Sequence, residues 1–197
     1  MASSQGISPV FVVTGPSGAG KGTLIGLVLP RFEVLRPAVS ATTRPRRNGE
    51  ENGREYWFLS EEEFARKVDD ADFLEWVWYV GNRYGTLVSE IDRIRAEGRA
   101  PLLELETEGA LAVKEDVPRA VTIFVTAPVE ELERRLRERA TESSGSIEKR
   151  IALARRQLAQ ADWFHHVVEN DDRTRAAEEL AEIVERELNR TATMSRP

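Results

Sequence analysis

Nine residues constrain this chain more than any others: Gly15-Pro-Ser-Gly-Ala-Gly-Lys-Gly-Thr23. Ahead of them runs Pro9-Val-Phe-Val-Val-Thr14, a short β-branched stretch suited to a buried strand. Behind them a helix is expected from Lys21, ending near Pro30, where a proline cannot continue it. A glycine-rich turn between strand and helix lets consecutive backbone N–H groups point into one concavity, and the helix adds its positive dipole end. Such a loop cradles phosphates, and Lys21 can reach the outer ones as a point charge. The expected triphosphate-binding set is Gly15, Pro16, Ser17, Gly18, Ala19, Gly20, Lys21, Gly22 and Thr23, with Lys21 catalytic. The strict pattern has a serine or threonine directly after the lysine as a Mg²⁺ ligand. Here Gly22 takes that place, so Thr23 becomes the candidate hydroxyl.

Further apolar runs, Leu102 to Glu106 and Val121 to Thr126, read as buried strands. Helical spacing appears at Val129, Leu132 and Leu136, at Ile147, Ile151, Ala154 and Leu158, and at Ala177, Leu180, Val184 and Leu188. Strands alternating with helices predict an α/β fold, a parallel sheet with helices on both faces. The segment 40–86 breaks the rhythm, being rich in arginine, glycine and aromatics. It holds a capping box, Ser60-Glu-Glu-Glu63, and an alternating run, Phe73-Leu-Glu-Trp-Val-Trp-Tyr79, that suits a half-exposed strand. The expected division is a core of residues 9–39 and 87–190, an inserted β-rich substrate-binding region of 40–86, and short tails at 1–8 and 191–197.

Composition excludes several classes. With 197 residues, 41% hydrophobic and 31% charged, one ordinary core suffices, and a net charge of −6 gives no case for a nucleic-acid surface. There is no cysteine, hence no disulfide and no thiolate metal site. No apolar run approaches the ~20 residues of a bilayer span, and Met1 to Ser8 has neither the basic start nor the apolar stretch of a secretory signal. The expected location is the cytoplasm, with no membrane or nucleic-acid partner; homo-oligomerisation stays open.

Within the inserted region stands Ser40-Ala-Thr-Thr-Arg-Pro-Arg-Arg47, then Asn48-Gly-Glu-Glu-Asn-Gly53 and Tyr56. Arginine forks and a tyrosine hydroxyl suit a phosphate monoester, although such a run alone is more often a solvated basic loop. From Gly15 through Ser40–Arg47, Tyr56, Phe73-Leu-Glu-Trp76, Gly81-Asn-Arg-Tyr-Gly-Thr86 and on to Asn170-Asp-Asp172, the chain resembles the guanylate kinases, in order and spacing, over most of residues 10–188.

The resemblance implies a core, a monophosphate-binding region and a lid within about 136–150, and transfer of a phosphoryl group from ATP to GMP or dGMP with Mg²⁺. It implies that Arg44, Arg47, Tyr56 and Tyr84 hold the GMP phosphate and that Ser40, Glu75 and Thr86 read guanine. Arg139 and Arg150 match lid arginines acting with Lys21 and Arg44 in catalysis, while Arg135 and Asn170 fall on the ATP side. Glu104 and Glu106 replace the family's usual aspartates. Period-two spacing puts both on one side of a strand; the roles the resemblance implies there are Glu106 on the GMP side and Glu104 at Mg²⁺ through water. A pair of carboxylates anchoring neighbouring arginines fits those positions equally. A phosphopeptide-binding module would not need the intact loop and Lys21, and a GTPase switch would need an Asn-Lys-x-Asp motif that is missing. His165 and His166 have no further ligand pattern nearby and read as surface or packing residues, and the four tryptophans as packing.

Overall fold

The β-branched run ahead of the glycine loop forms the middle strand of a sheet, as its uninterrupted apolar character requires. In the computed structural model, which describes residues 8–138 and 144–194, this strand is β1 (Val10–Thr14), buried on both faces. It lies between β7 (Ala100–Glu104) and β8 (Ala120–Thr126), with β2 (Leu35–Pro37) and β9 (His166–Glu169) outside them. All four pairings are parallel, giving the order β2-β7-β1-β8-β9. Alternate residues feed two cores. Phe11 and Val13 pack with Leu24, Val28, Ile123, Leu180 and Val184, under α1 (Lys21–Val28) and α7 (Arg173–Met194). Val10 and Val12 pack on the other face with Ile91, Leu103, Ala110, Val113 and Phe124, under α3 (Val88–Ala96) and α4 (Thr107–Asp116).

The inserted segment builds a second sheet from β3 (Ala41–Thr42), β4 (Trp57–Phe58), β5 (Phe73–Tyr79) and β6 (Asn82–Leu87), in the order β4-β3-β6-β5. Pairing is mixed: β3 runs parallel to β4 and antiparallel to β6, and β5 is antiparallel to β6. A helix, α2 (Glu61–Asp69), closes one face through Phe64, which stacks on Phe73 at 4.3 Å between ring centroids. It begins at the expected capping box, with the Ser60 hydroxyl accepting from Glu63 N and the Glu63 carboxylate accepting from Ser60 N.

Two boundaries differ from expectation, those of β7 and α7. Strand β7 spans 100–104 rather than 102–106, because the chain turns at Glu106 to start α4. Helix α1 stops near Pro30 as expected, giving way at Val28 to a single 3₁₀ turn that contains the proline. Helix α7 runs to Met194, past the expected start of a tail at residue 191, since nothing between Asn189 and Met194 breaks a helix. The tryptophans are also corrected. Trp57 is half-buried, but Trp76, Trp78 and Trp163 are 43%, 59% and 53% exposed rather than core. For Trp76 and Trp78 the cause is the sheet edge: β5 has one neighbour, and its outward residues face water around the Arg83 guanidinium.

The remaining helices, α5 (Val129–Glu138) and α6 (Ser144–Leu158), meet through Leu136, Ile151 and Ala154. Of the two histidines, His165 is exposed and His166 half-buried. The Thr122 N–H donates to His165 Nδ1 at 3.1 Å, and His166 Nε2 lies 3.4 Å from the Glu187 carboxylate.

Candidate active site

The glycine loop caps the C-terminal end of β1, where chain connections depart to either side of the sheet and a crevice must open. Its shape depends on missing side chains. Gly15 has φ 135°, and a Cβ there would sit 2.0 Å from the Val125 carbonyl oxygen. Gly20 has φ 90°, and a Cβ would sit 2.4 Å from Asn170 Nδ2. Both positions demand glycine. Lys21 opens α1 and folds back across its own loop, donating to the Gly15 and Pro16 carbonyls at 2.8 and 3.3 Å.

Asn170 and Arg135 brace this loop from behind. Asn170 is buried and donates to the Ala19 carbonyl at 2.7 Å, while its Oδ1 is buried without a hydrogen-bond partner among the described residues. Arg135 donates to the Gly18 carbonyl at 3.1 Å and is held by Glu131 at 2.7 Å. Both are expected on the ATP side, and in the structure both hold the backbone of the phosphate loop itself.

Facing the loop, a cavity of about 600 Å³ separates the two sheets, a volume that suits a small ligand. Lys21, Glu104 and Glu106 line it from the core; Ser40, Arg44, Arg47, Tyr56, Glu75 and Tyr84 line it from the second sheet. Arg44 lies over the Tyr56 ring at 5.4 Å, and Tyr56 and Tyr84 meet edge-on at 6.0 Å. Burial pushes the Tyr56 hydroxyl's pKa up, keeping it a neutral donor.

Deeper in the wall, Glu75 is 7% exposed, and burial raises its carboxyl to about 7 against the lowering effect of Thr86. The Thr86 hydroxyl donates to Glu75 Oε1 at 2.8 Å. Thr86 thus acts on the cavity through Glu75 rather than lining it. Glu106 is the N-cap of α4, not a strand residue, yet it opens on the same cavity as Glu104. Burial raises its carboxyl, opposed by the charge of Lys21 and a hydrogen bond from Gln157. Thr23 is exposed on α1. Arg150, in α6, is close enough for its charge to act on Tyr79, and Arg139 lies outside the described residues.

Further groups at or beside the cavity were not singled out from the sequence, among them Glu50, Tyr79 and Gln157. Glu50 accepts from Arg44 Nη2 at 2.8 Å and from Arg47 N at 2.7 Å, so a carboxylate now engages the arginine expected to bind phosphate. Tyr79 lines the cavity two residues beyond Val77 and four beyond Glu75, a period-two signal that was available. Gln157 reaches Glu106 from α6 and had no signal beyond being polar on an apolar helix face.

A phosphate loop on one sheet and a cationic, aromatic pocket on the other, facing across one cavity, is the arrangement of the P-loop nucleoside monophosphate kinases. Comparison with known proteins narrows the class. The guanylate kinase family model matches residues 8–187. The guanylate kinase of Rubrobacter xylanophilus is 48% identical over 178 residues, 90% of this chain and 93% of that protein. That of Gloeobacter violaceus is 43% identical over 183 residues, 92% and 89% of the two chains. The crystal structure of guanylate kinase from Anaplasma phagocytophilum superposes with a TM-score of 0.73 at 25% identity, covering 93% of this chain and 88% of that one. The chain belongs to the guanylate kinase family, and its reaction is ATP + GMP to ADP + GDP.

Proposed function

We propose that ATP lies with its phosphates on residues 15–23 and that GMP, or dGMP, enters the cavity with its phosphate towards Arg44, Arg47, Tyr56 and Tyr84. The observation that carries this reading is Glu75, a carboxylate buried deep in the cavity wall that also carries Arg44, Arg47, Tyr56 and Tyr84. An acidic group deep in an arginine-lined pocket has no use for phosphate. It suits guanine, which presents N1–H and the 2-amino group side by side as donors. Ser40 stands by as a donor for O6, and Thr86 fixes Glu75.

Phosphoryl transfer asks for alignment and positive charge more than for covalent help. In this reading Lys21 leaves the Gly15 and Pro16 carbonyls for the transferring phosphate, and Arg44 exchanges the Glu50 carboxylate for the GMP phosphate. Glu106 holds the GMP side against Lys21, while Arg150 and Arg139 approach from the lid. For Mg²⁺ the available donors are Glu104 and Thr23. Glu104 Oε2 is 3.5 Å from where a Cβ on Gly22 would project, beside the position at which the strict motif carries its hydroxyl. No group of three metal-binding side chains exists among the described residues, but Mg²⁺ bound with ATP needs only one or two carboxylates besides phosphates and water. When bound, the ion neutralises charge between the phosphates.

We place the enzyme in the cytoplasm, where both nucleotides circulate; no described helix is long and apolar enough to cross a membrane. The test is a coupled assay with ATP and each of GMP, dGMP, AMP, CMP and UMP. GMP should exceed AMP in kcat/KM by roughly 10⁴-fold, the discrimination expected when a mismatched base leaves buried polar groups unpaired. Comparable use of AMP would overturn the assignment of Glu75.

A further inference from the structure

Helix α4 packs against β5, and its third residue, Gly109, faces Glu75. A Cβ at position 109 would stand 2.5 Å from Glu75 Oε2, 3.2 Å from its Cδ and 3.6 Å from Val77 Cγ1. Nothing about the backbone calls for glycine here, since Gly109 is not among the positive-φ residues. On propensity alone, glycine inside a helix costs about 1 kcal/mol relative to alanine. The only use of the missing side chain is the space it leaves, and that space holds the Glu75 carboxylate. Thr86 fixes Oε1 by its hydrogen bond, and the bare first turn of α4 defines where Oε2 can lie.

We infer that Gly109 is a specificity-positioning residue: the absence of its side chain lets the Glu75 carboxylate lie against α4 in the orientation that meets guanine. This rests on the reading that Glu75 meets the base. The obstacle a methyl group would encounter is the end of a side chain, not backbone, so alanine can be accommodated by swinging the carboxylate away. The fold survives and the base contact does not. Gly85 offers the contrast. A Cβ there would meet the Glu75 carbonyl at 2.7 Å and the Trp76 Cβ at 2.8 Å, so substitution would disturb the sheet itself.

The experiment compares Gly109→Ala, Glu75→Gln, the double variant and Gly85→Ala with the parent. It measures kcat/KM for GMP and for AMP, KM for ATP, and thermal melting. Gly109→Ala should melt at or above the parent temperature with KM for ATP unchanged. Its kcat/KM for GMP should drop at least ~30-fold with AMP turnover little altered, and the double variant should lose little beyond Glu75→Gln alone, since contacting residues act non-additively. Gly85→Ala should lose melting temperature and both activities together.

If Glu75→Gln loses the GMP preference while Gly109→Ala keeps it, the inference fails and the reading of Glu75 stands. If Glu75→Gln keeps the preference, the reading itself fails. A Gly109→Ala variant that melts far below the parent, or whose loss multiplies with that of Glu75→Gln, would also overturn the inference, because the space would then serve packing or another contact.

Discussion

Glu75 titrates where an enzyme works, and the consequence can be measured. Burial lifts its carboxyl from the ordinary carboxylate range to about 7, yet only the ionised form accepts from both guanine donors. GMP should therefore bind roughly tenfold more weakly at pH 6 than at pH 8, as expected for a required group with this pKa. Calorimetry on the parent and on Glu75→Gln would separate this effect from titration of the GMP phosphate, which the variant retains. An identical pH dependence in both proteins would exclude Glu75 from the base contact.

Stability should move in the opposite sense. The folded chain holds this proton to higher pH than the unfolded chain, so between the ordinary value of 4.5 and about 7 the folded state binds more protons and stability falls as pH rises. Glu75→Gln should accordingly melt above the parent at pH 8 and lose that advantage near pH 5. Much of this residue's setting was legible. The alternation of Phe73 to Tyr79 put Glu75 on one face of a strand. The pairing of Arg44 with Glu50 and the reach of Gln157 to Glu106 were not, because contacts between polar side chains leave no periodic trace in sequence.

Among the elements, the joints between the two sheets hold most of the remaining information. The chain leaves the core after β2 and returns through β6 directly into α3, and Glu90 on α3 ties the two crossings together. It is 4% exposed, accepts from Val39 N at 3.0 Å and is held by Arg93 Nη2 at 2.9 Å. Removing its carboxylate in Glu90→Ala would leave the Val39 N–H unpartnered, a loss of about 1–3 kcal/mol. Because Ser40 follows Val39, KM for GMP should rise as well; chemical denaturation and steady-state kinetics check the two effects. A variant with parental stability and KM would show that the clasp does nothing.

The long elements were readable because their buried faces repeat, as in β1, β8 and the helix α7. Strands β3 and β4, two residues each, could not be read, since tertiary pairing rather than local pattern creates them. The start of β7 was missed for a related reason: Pro101, its second residue, cannot donate to a ladder and so argues locally against a strand.

At the scale of the whole molecule, the cavity is formed by one chain from two sheets, and Arg150 of α6 is near enough for its charge to act on Tyr79 in the cavity wall. Arg150 should act once the lid and the acceptor region have approached each other. Arg150→Ala is expected to lower kcat at least ~tenfold while changing GMP affinity little, the pattern of a contact made only in the closed, reacting state. Single-turnover kinetics with calorimetry would decide. Lost affinity at unchanged kcat would instead put Arg150 in the acceptor pocket. The outward face of β5 has a further consequence. Glu75, Val77 and Tyr79 look into the cavity, so Trp76 and Trp78 stand on the reverse of the same strand, half in water, with the Arg83 guanidinium 5.7 and 5.8 Å from their rings. An indole's emission responds to solvent and to a nearby cation, which gives this protein an unlabelled optical reporter, Trp76, a single peptide bond away from Glu75.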